Sequence, residues 1–535
     1  MIGGIVIVLL VVLLSAASAF AWLVRQIGSA QFSFCRVALG ALGVGGLVLG
    51  SRLYLSEGYV SWAPYLDQIA ADFTGLLLPL AHGALTWRDV VAANNEHRVI
   101  LTRLTSLAEV YVNGQWDNRI LVVAIFLLQS AIASWICTLS WVFLGWIRGT
   151  IVCFAALLPM FLVCDWENMV SGFQTQFMYM VLGSLVAFSL INGRRETSFD
   201  RIGSLLIALL VLGTMASGLL TATTLAVVSL FVSVISRRGW RSAVFFVLSA
   251  LTVAAFGWFT RHETPHTPDL YAQDFATWSS AFAAYGAWPL MPNLLGFVLL
   301  WLPSIWLLIR TIRRREVPPF VSFVLALGFW VLLQAAALAW SRAGLRGLVS
   351  ARYTEVLALA FVANAAAGVL LLPSAKSTIR SRVIAYGCLS IWIAGIGFAE
   401  CWRSRELYRP YLEVFRNQTI EHEQRLGSFM RTGNQGIITS VQFPRIPGGA
   451  SEIIGSLSDP NVQPLLPGPL RRDLIRDHNP ELLPTVKDGP LASAALFLAR
   501  NGLWIALAGA ALLLSAIWYP ERTMIAPVLI RSSSP

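Results

Sequence analysis

The sequence predicts an all-α polytopic membrane protein of about 13 transmembrane helices, with amphipathic surface helices in the first outer loop and a small soluble outer segment. Three observations carry this. Of the 535 residues, 56% are hydrophobic and only 13% are charged, where a soluble domain carries about a quarter charged. Runs of about 18 or more apolar residues recur from end to end, each long enough to cross about 30 Å of hydrocarbon as a helix. The runs are uniformly apolar rather than alternating, which excludes a membrane β-barrel.

Candidate spans cover 2–24, 34–52, 119–145, 150–164, 174–191, 203–217, 219–235, 242–259, 291–309, 319–340, 354–372, 383–400 and 500–518. Arg25 with Arg36, Arg148, Arg194 with Arg195 and Arg201, Arg237 with Arg238 and Arg241, Arg310 with Arg313 to Arg315, and Lys376 with Arg380 and Arg382 fall in alternate connections. Basic short loops mark the cytoplasmic side. Connections 165–173 and 217–219 carry no basic residue and belong to the outer side. Thirteen crossings leave the N-terminus outside and the C-terminus inside. The first segment lacks a basic leader and is followed by Arg25 and Arg36, so it reads as a retained helix rather than a signal peptide.

The net charge of +11 is mostly arginine spread over short loops, which fits topogenic charge near lipid headgroups and gives no nucleic-acid face. The six cysteines, 35, 137, 153, 164, 388 and 401, form no CxxC pair and no metal spacing with histidine, and read as core or lipid-facing residues.

Long outer connections occupy 53–118, 260–290 and 401–499. The organisation is a transmembrane module over 1–400, an extracytoplasmic soluble segment over 401–499, and a last transmembrane helix with a cytoplasmic tail over 500–535. The stretch "LSDPNVQPLLPGPLRRDL" in the soluble segment reads as turns and extended chain.

Within the first outer loop, Thr86-Trp87-Arg88-Asp89 has the capping-box pattern and should start a short helix. Asn94 and Asn95 break it. Asn95 is placed to cap a second helix running to about Tyr111 and stopping at Asn113-Gly114. Ile100, Leu104, Leu107 and Tyr111 would form its apolar stripe, with Arg98, Thr102, Thr105 and Glu109 largely off it. Such a pair of helices would lie on the outer membrane surface, with Trp62, Trp87 and Trp116 at headgroup level. Glu96, His97 and Arg98 would then occupy the first turn, where free backbone N–H groups, the dipole and Arg98 suit a phosphate.

Upstream, "SWAPYLDQIAAD" places Asp67 early after the first membrane exit, and "DWENMVSGFQTQF" places Asp165 and Glu167 in the next outer connection. Carboxylates from two outer loops could flank one cavity, where such a pair deprotonates a hydroxyl or holds a divalent cation, Mg or Mn, on Asp165 and Glu167. A third element, "SRAGLRGLVSARYTE", carries Arg342, Arg346 and Arg352, with Tyr353 beside the last. It falls on the outer side, against the positive-inside pattern, and a bound phosphate or pyrophosphate at the headgroup would explain that.

These features resemble the GT-C glycosyltransferases, integral membrane enzymes that use polyprenyl-phosphate-linked sugars and include protein mannosyltransferases and the aminoarabinose transferase of lipid A. The resemblance spans roughly 34–400 in architecture. It implies that Asp67 takes the place of the acid in the family's first outer loop, and Asp165 or Glu167 that of the second. Asp67-Gln68 stands where the family commonly has Asp-Glu, and the Trp-Trp-Asp-Tyr-Gly motif of oligosaccharyltransferases is absent.

The expected function is transfer of a sugar from a polyprenyl-phosphate-linked donor to a glycan, lipid or protein acceptor at the outer face of a bacterial inner membrane. Asp67 would be the base, with Glu96, His97 and Glu167 completing the catalytic set. Asn95, Arg98, Arg342, Arg346, Arg352 and Tyr353 would bind substrate. Membrane lipid is an expected partner and nucleic acid is not. Two alternatives stand beside it: a polysaccharide polymerase or ligase, which would share the lipid-linked donor and the outer arginines, and a transporter or flippase of lipid-linked sugars, which would instead put its polar residues at mid-membrane in broken helices.

Overall fold

In hydrocarbon no water satisfies backbone N–H and C=O groups, so an apolar run crosses as a helix with its bonds closed internally. The computed structural model of the chain describes residues 11–519 apart from 13, 16, 17, 20, 27–33, 194–195, 238–239, 263–267, 346–348, 375, 440–449 and 477–479. Among the described residues every regular element is helical. Nine helices among them are long and apolar enough to span a membrane. A tenth span is formed if Pro490–Arg500 and Gly502–Trp518, bent by 68°, count as one.

The helices that matter below are α1 (Phe34–Leu55), α2 (Ile100–Asn113), α3 (Asn118–Leu144), α4 (Thr175–Leu190), α5 (Leu219–Ser236), α6 (Trp240–Phe259), α7 (Leu294–Arg314), α8 (Pro319–Ser341), α9 (Ala351–Leu371), α10 (Ile379–Arg403), α11 (Pro490–Arg500) and α12 (Gly502–Trp518). Three expected spans lie outside the nine or ten. Trp146–Leu157 passes into a 3-10 turn that contains Pro159, and Ser198–Val211 has 14 residues. At 1.5 Å per residue these reach about 20 Å, short of a full crossing. The first segment is described only in part.

The core runs along α4, α8 and α9, where Phe188, Trp330 and Phe361 are fully buried. Helices α6, α7 and α10 are peripheral and turn Phe245, Trp306 and Ile391 outward. Helices α1 and α12 pack backbone to backbone: a Cβ on Gly50 would stand 2.1 Å from the Ala506 nitrogen, and one on Gly509 2.1 Å from that of Leu47. Small residues permit this approach, which is how helices associate where lipid supplies no hydrophobic drive.

The basic connections gather at one end of the bundle. Arg36 donates to the carbonyls of Ala516 and Ile517, Arg148 to Pro373, and Arg310 to Leu370. At the opposite end α10 continues through a wide turn at Ser404–Tyr408 into Arg409–Thr432. Leu426, Phe429, Ile453, Leu457 and Leu470 from the 401–499 segment share one core with Ile69, Phe73, Leu77, Val110 and Trp116 of the first loop. The 401–499 segment and the first loop therefore form one joint subdomain. The stretch expected as turns and extended chain has turns over 460–465 but then helix Gly468–Arg476, which tolerates Pro469 because in the first turn its missing N–H costs nothing.

The first loop follows expectation at both outer bounds and departs in the middle. Thr86 and Asp89 form the capping box, with Asp89 Oδ2 accepting from the Thr86 N–H and hydroxyl at 2.7 Å. Gly114, at φ +71°, ends α2. An unforeseen wide helix runs over Ile69–Leu77. Helix α2 begins at Ile100 rather than at Asn95, and its polar face is the inward one: Thr102, Arg103, Ser106, Glu109 and Asn113 are buried while Tyr111 and Val112 are about two-thirds exposed. A helix against lipid gains by presenting apolar side chains outward and satisfying its polar groups inside.

Candidate functional site

The polar cluster 94–98 closes on itself. Asn94 N–H donates to the His97 carbonyl at 2.8 Å and His97 N–H returns to the Asn94 carbonyl at 3.1 Å. Asn95 sits at φ +51° in this turn, a conformation asparagine tolerates better than most. The first N–H groups of α2 are already taken: Val99 donates to Thr214 at 3.0 Å and Ile100 to Gly213 at 2.8 Å. Arg98 donates to the carbonyls of Leu212 and Gly257, each at 3.3 Å, and to the Thr260 hydroxyl. The expected anion seat, made of Arg98 and free helix N–H groups with Asn95 as cap, is therefore not formed. Arg98 instead ties the loop to the ends of two helices.

Glu96 and His97 point the other way. Glu96 Oε1 accepts from Arg342 Nη2 at 3.0 Å and lies 3.8 Å from His97 Nε2. Burial pushes the Glu96 carboxyl up, but His97, its own backbone N–H and Arg342 outweigh it and hold it below the usual value. Burial pushes the His97 imidazole down to about 4, helped by Arg342 and Arg352 and opposed by Glu96, so it is neutral at neutral pH. Its Nδ1 accepts from the Ala216 N–H at 3.3 Å, which leaves the proton on Nε2, facing Glu96.

Glu167 caps α9. Its Oε2 accepts from Ser350 Oγ at 2.9 Å and from the Arg352 N–H at 3.1 Å, with Arg352 Nε 3.6 Å away. A carboxylate is favoured at a helix N-terminus by the dipole. Arg352 also lies 5.5 Å from the Tyr353 ring. Asp67 completes the group. It accepts no hydrogen bond from the described residues. Burial raises its pKa, Arg352 lowers it, and Glu96 and Glu167 raise it, with the outcome above the ordinary carboxylate value. Asp67, Glu96, Glu167 and Arg352, drawn from four separate stretches of chain, thus act on one another within one electrostatic neighbourhood.

Beside them opens a cavity of about 540 Å³. One wall is polar, with Glu96, His97, Arg342 and Tyr353, and with Arg261 and His262 following α6. The rest is apolar, with Phe177, Met180, Met215, Leu219, Leu338 and Val356. A chamber of this construction accepts a molecule with one charged end and a hydrocarbon body.

Asp165 is elsewhere and is committed. Both its oxygens accept from Arg52, at 2.9 and 3.0 Å, in a pair with 0% and 4% of the two side chains exposed. Gln129 donates to Asp165 at 3.1 Å and to Glu355 at 2.9 Å. Asn168 reaches Glu355 at 3.4 Å and the Arg352 carbonyl at 3.2 Å. Asp165 and Glu167, expected as a cation pair, are thus divided between two arginines. Among the described residues no three His, Cys, Asp or Glu side chains come together as metal ligands, and the donor set, with Arg52 on one acid and Arg352 beside the other, does not fit a divalent cation. Arg346, like Arg194, Arg195 and Arg238, lies outside the described residues.

The network of Arg52, Gln129, Asn168 and Glu355 escaped the sequence reading, although an Arg and a Glu inside apolar runs are a usable signal. Arg261 and His262 were a second missed signal, a basic pair directly after α6. No family model matches the chain, and no curated protein matches it.

Proposed function

We propose that the chain is a membrane glycosyltransferase that moves a sugar from a polyprenyl-phosphate-linked donor to a cell-envelope acceptor at the outer face of a bacterial inner membrane. One observation carries this reading: an acid with a raised pKa, Asp67, shares a neighbourhood with Arg352 beside a chamber whose polar wall holds Arg342 and whose remaining walls suit a hydrocarbon chain. In the proposed step Asp67 takes the proton of the acceptor hydroxyl, the acceptor oxygen bonds to the anomeric carbon, and the bond from that carbon to the phosphate oxygen breaks. The leaving group is the lipid phosphate, an anion that Arg342 and Arg352 would stabilise as its charge grows. Glu96 and Glu167 hold these arginines in place. The base needs a pKa nearer to working pH than an ordinary carboxylate has, and the burial of Asp67 supplies that direction.

The gathering of the basic connections at the other end supports an outer site under the positive-inside rule. Thirteen crossings would further require the partly described first segment, Trp146–Phe161 and Ser198–Val211, the last two crossing only where the hydrocarbon is locally thinned around them. Of the buried charges, Arg52 lies in the last turn of α1, Glu355 near the start of α9 and Asp165 just before the short helix Trp166–Val170, none of them at the centre of a span, which favours an enzyme over a transporter.

Polyprenyl phosphate is common to all such donors, so it is the direct test. Titrated into the purified protein in nanodiscs, it should quench the emission of Trp258 and Trp340, which line the chamber. Arg342→Ala should weaken binding about tenfold or more, as expected for a hydrogen bond between charged groups. Binding unchanged in both Arg342→Ala and Arg352→Ala would overturn the reading.

A further inference from the structure

A second cavity, of about 180 Å³, lies away from the chamber, between the end of α1, the start of α3 and α11. Arg119, Val122, Val123 and Phe126 line it from one face of α3, over about 10 Å at the rise of an α-helix. Arg119 is occupied by Asp117, through Nε at 2.8 Å and Nη2 at 2.5 Å. Two other charges line the same space, Glu57 and Arg500. Both are exposed. Neither has a partner among the described residues, and they form no ion pair with each other although they face one cavity. Arg500 ends α11 at the 68° bend into α12. Tyr54 and Trp504, each within four residues of Glu57 or Arg500 in the chain, are both more than half exposed, as aromatic side chains at headgroup depth are.

We propose that this cavity binds a phospholipid whose zwitterionic headgroup carries a primary ammonium, with its phosphate on Arg500 and its ammonium on Glu57. The charges decide the class. One unpaired cation and one unpaired anion across a small space call for a ligand with both signs. An anionic glycerol headgroup offers Glu57 only neutral hydroxyls and leaves its charge uncompensated beside the phosphate. A quaternary ammonium has no N–H to donate to Glu57. The volume admits a headgroup and the first carbons of its acyl chains, which meet Val122, Val123 and Phe126 inside the cavity. This site does not depend on the chemistry of the chamber.

Native mass spectrometry of the full chain, released from micelles containing equal phosphatidylethanolamine, phosphatidylglycerol and phosphatidylcholine with the same acyl chains, tests it. Phosphatidylethanolamine should be retained about tenfold over phosphatidylcholine, as expected for one hydrogen bond between charged groups. Glu57→Gln should abolish that preference, and Arg500→Gln should lower retention of all three lipids. Arg405→Gln, which changes an exposed arginine outside the cavity, should do neither. Highest retention of phosphatidylglycerol, equal retention of the three lipids, or a preference that survives Glu57→Gln would overturn the assignment.

Discussion

Glu96 and Arg342 are 246 residues apart in the chain and meet at 3.0 Å on the polar wall of the large chamber. The pair is only partly buried, with 27% and 17% of the side chains exposed, so its own contribution to stability is small, about 1 kcal/mol or less. Its consequence is geometric: it fixes the guanidinium over the chamber. Glu96→Gln should therefore leave the melting temperature nearly unchanged and still weaken binding of polyprenyl phosphate. A double-mutant cycle with Arg342→Ala, read by titration, should give non-additive losses, and strict additivity would show that the two side chains act separately.

Asp67→Asn keeps the shape of the side chain and removes the base. Turnover should fall on the order of 10²–10⁴, with polyprenyl phosphate affinity within about twofold of the parent. Assay of transfer from polyprenyl-phosphate hexoses, alongside the binding titration, separates the two effects. Transfer persisting in Asp67→Asn but lost in Glu96→Gln would move the base to Glu96.

The pH dependence follows from the neighbours of Asp67. Burial and the acids Glu96 and Glu167 raise its pKa while Arg352 lowers it. Activity should rise with pH through an acid limb above the ordinary carboxylate range, since the ionised form is the base. Arg352→Gln removes the lowering charge and should move the limb to higher pH. Glu167→Gln removes a raising charge and should move it lower. A limb that stays in place in both variants would show that it belongs to another group.

Arg52 and Asp165 form the opposite kind of pair, buried and bidentate. Asp165→Ala leaves a guanidinium uncompensated and should cost about 3–5 kcal/mol, visible as loss of the monodisperse peak on heating followed by gel filtration. Arg52→Met with Asp165→Leu should recover much of that loss. Failure of the double variant to do better than the single would show that Gln129 and Glu355 also need the charges.

Asp72 is buried beneath α2, where burial raises its pKa from 3.8 to about 7 against the pull of Arg103 and Ser106. The folded state thus holds this proton more tightly than the unfolded chain does. The associated stability is complete below about pH 4 and is lost as pH rises toward 7. Asp72→Asn should flatten that part of the stability–pH curve, measured by thermal unfolding between pH 4 and 7.5.

The sequence by itself determined what hydrocarbon and local geometry demand. Apolar runs became helices because no other backbone state satisfies its polar groups in lipid. The Thr86–Asp89 cap and the Gly114 stop were readable because each is settled within a few residues. Tertiary structure alone decided which polar groups are free. Asn95 does not start α2, because carbonyls at 213 and 214 satisfy the first N–H groups of that helix. Asp165 looked like a free outer acid, yet Arg52, 113 residues away, binds both its oxygens. The inward polar face of α2 could not be told from an outward one, since helical spacing gives the stripe and not the side that lipid will cover. Asp67 keeps an unbonded carboxylate near Arg352 only because four distant segments fold to one end of the bundle, a long-range fact that no local pattern contains.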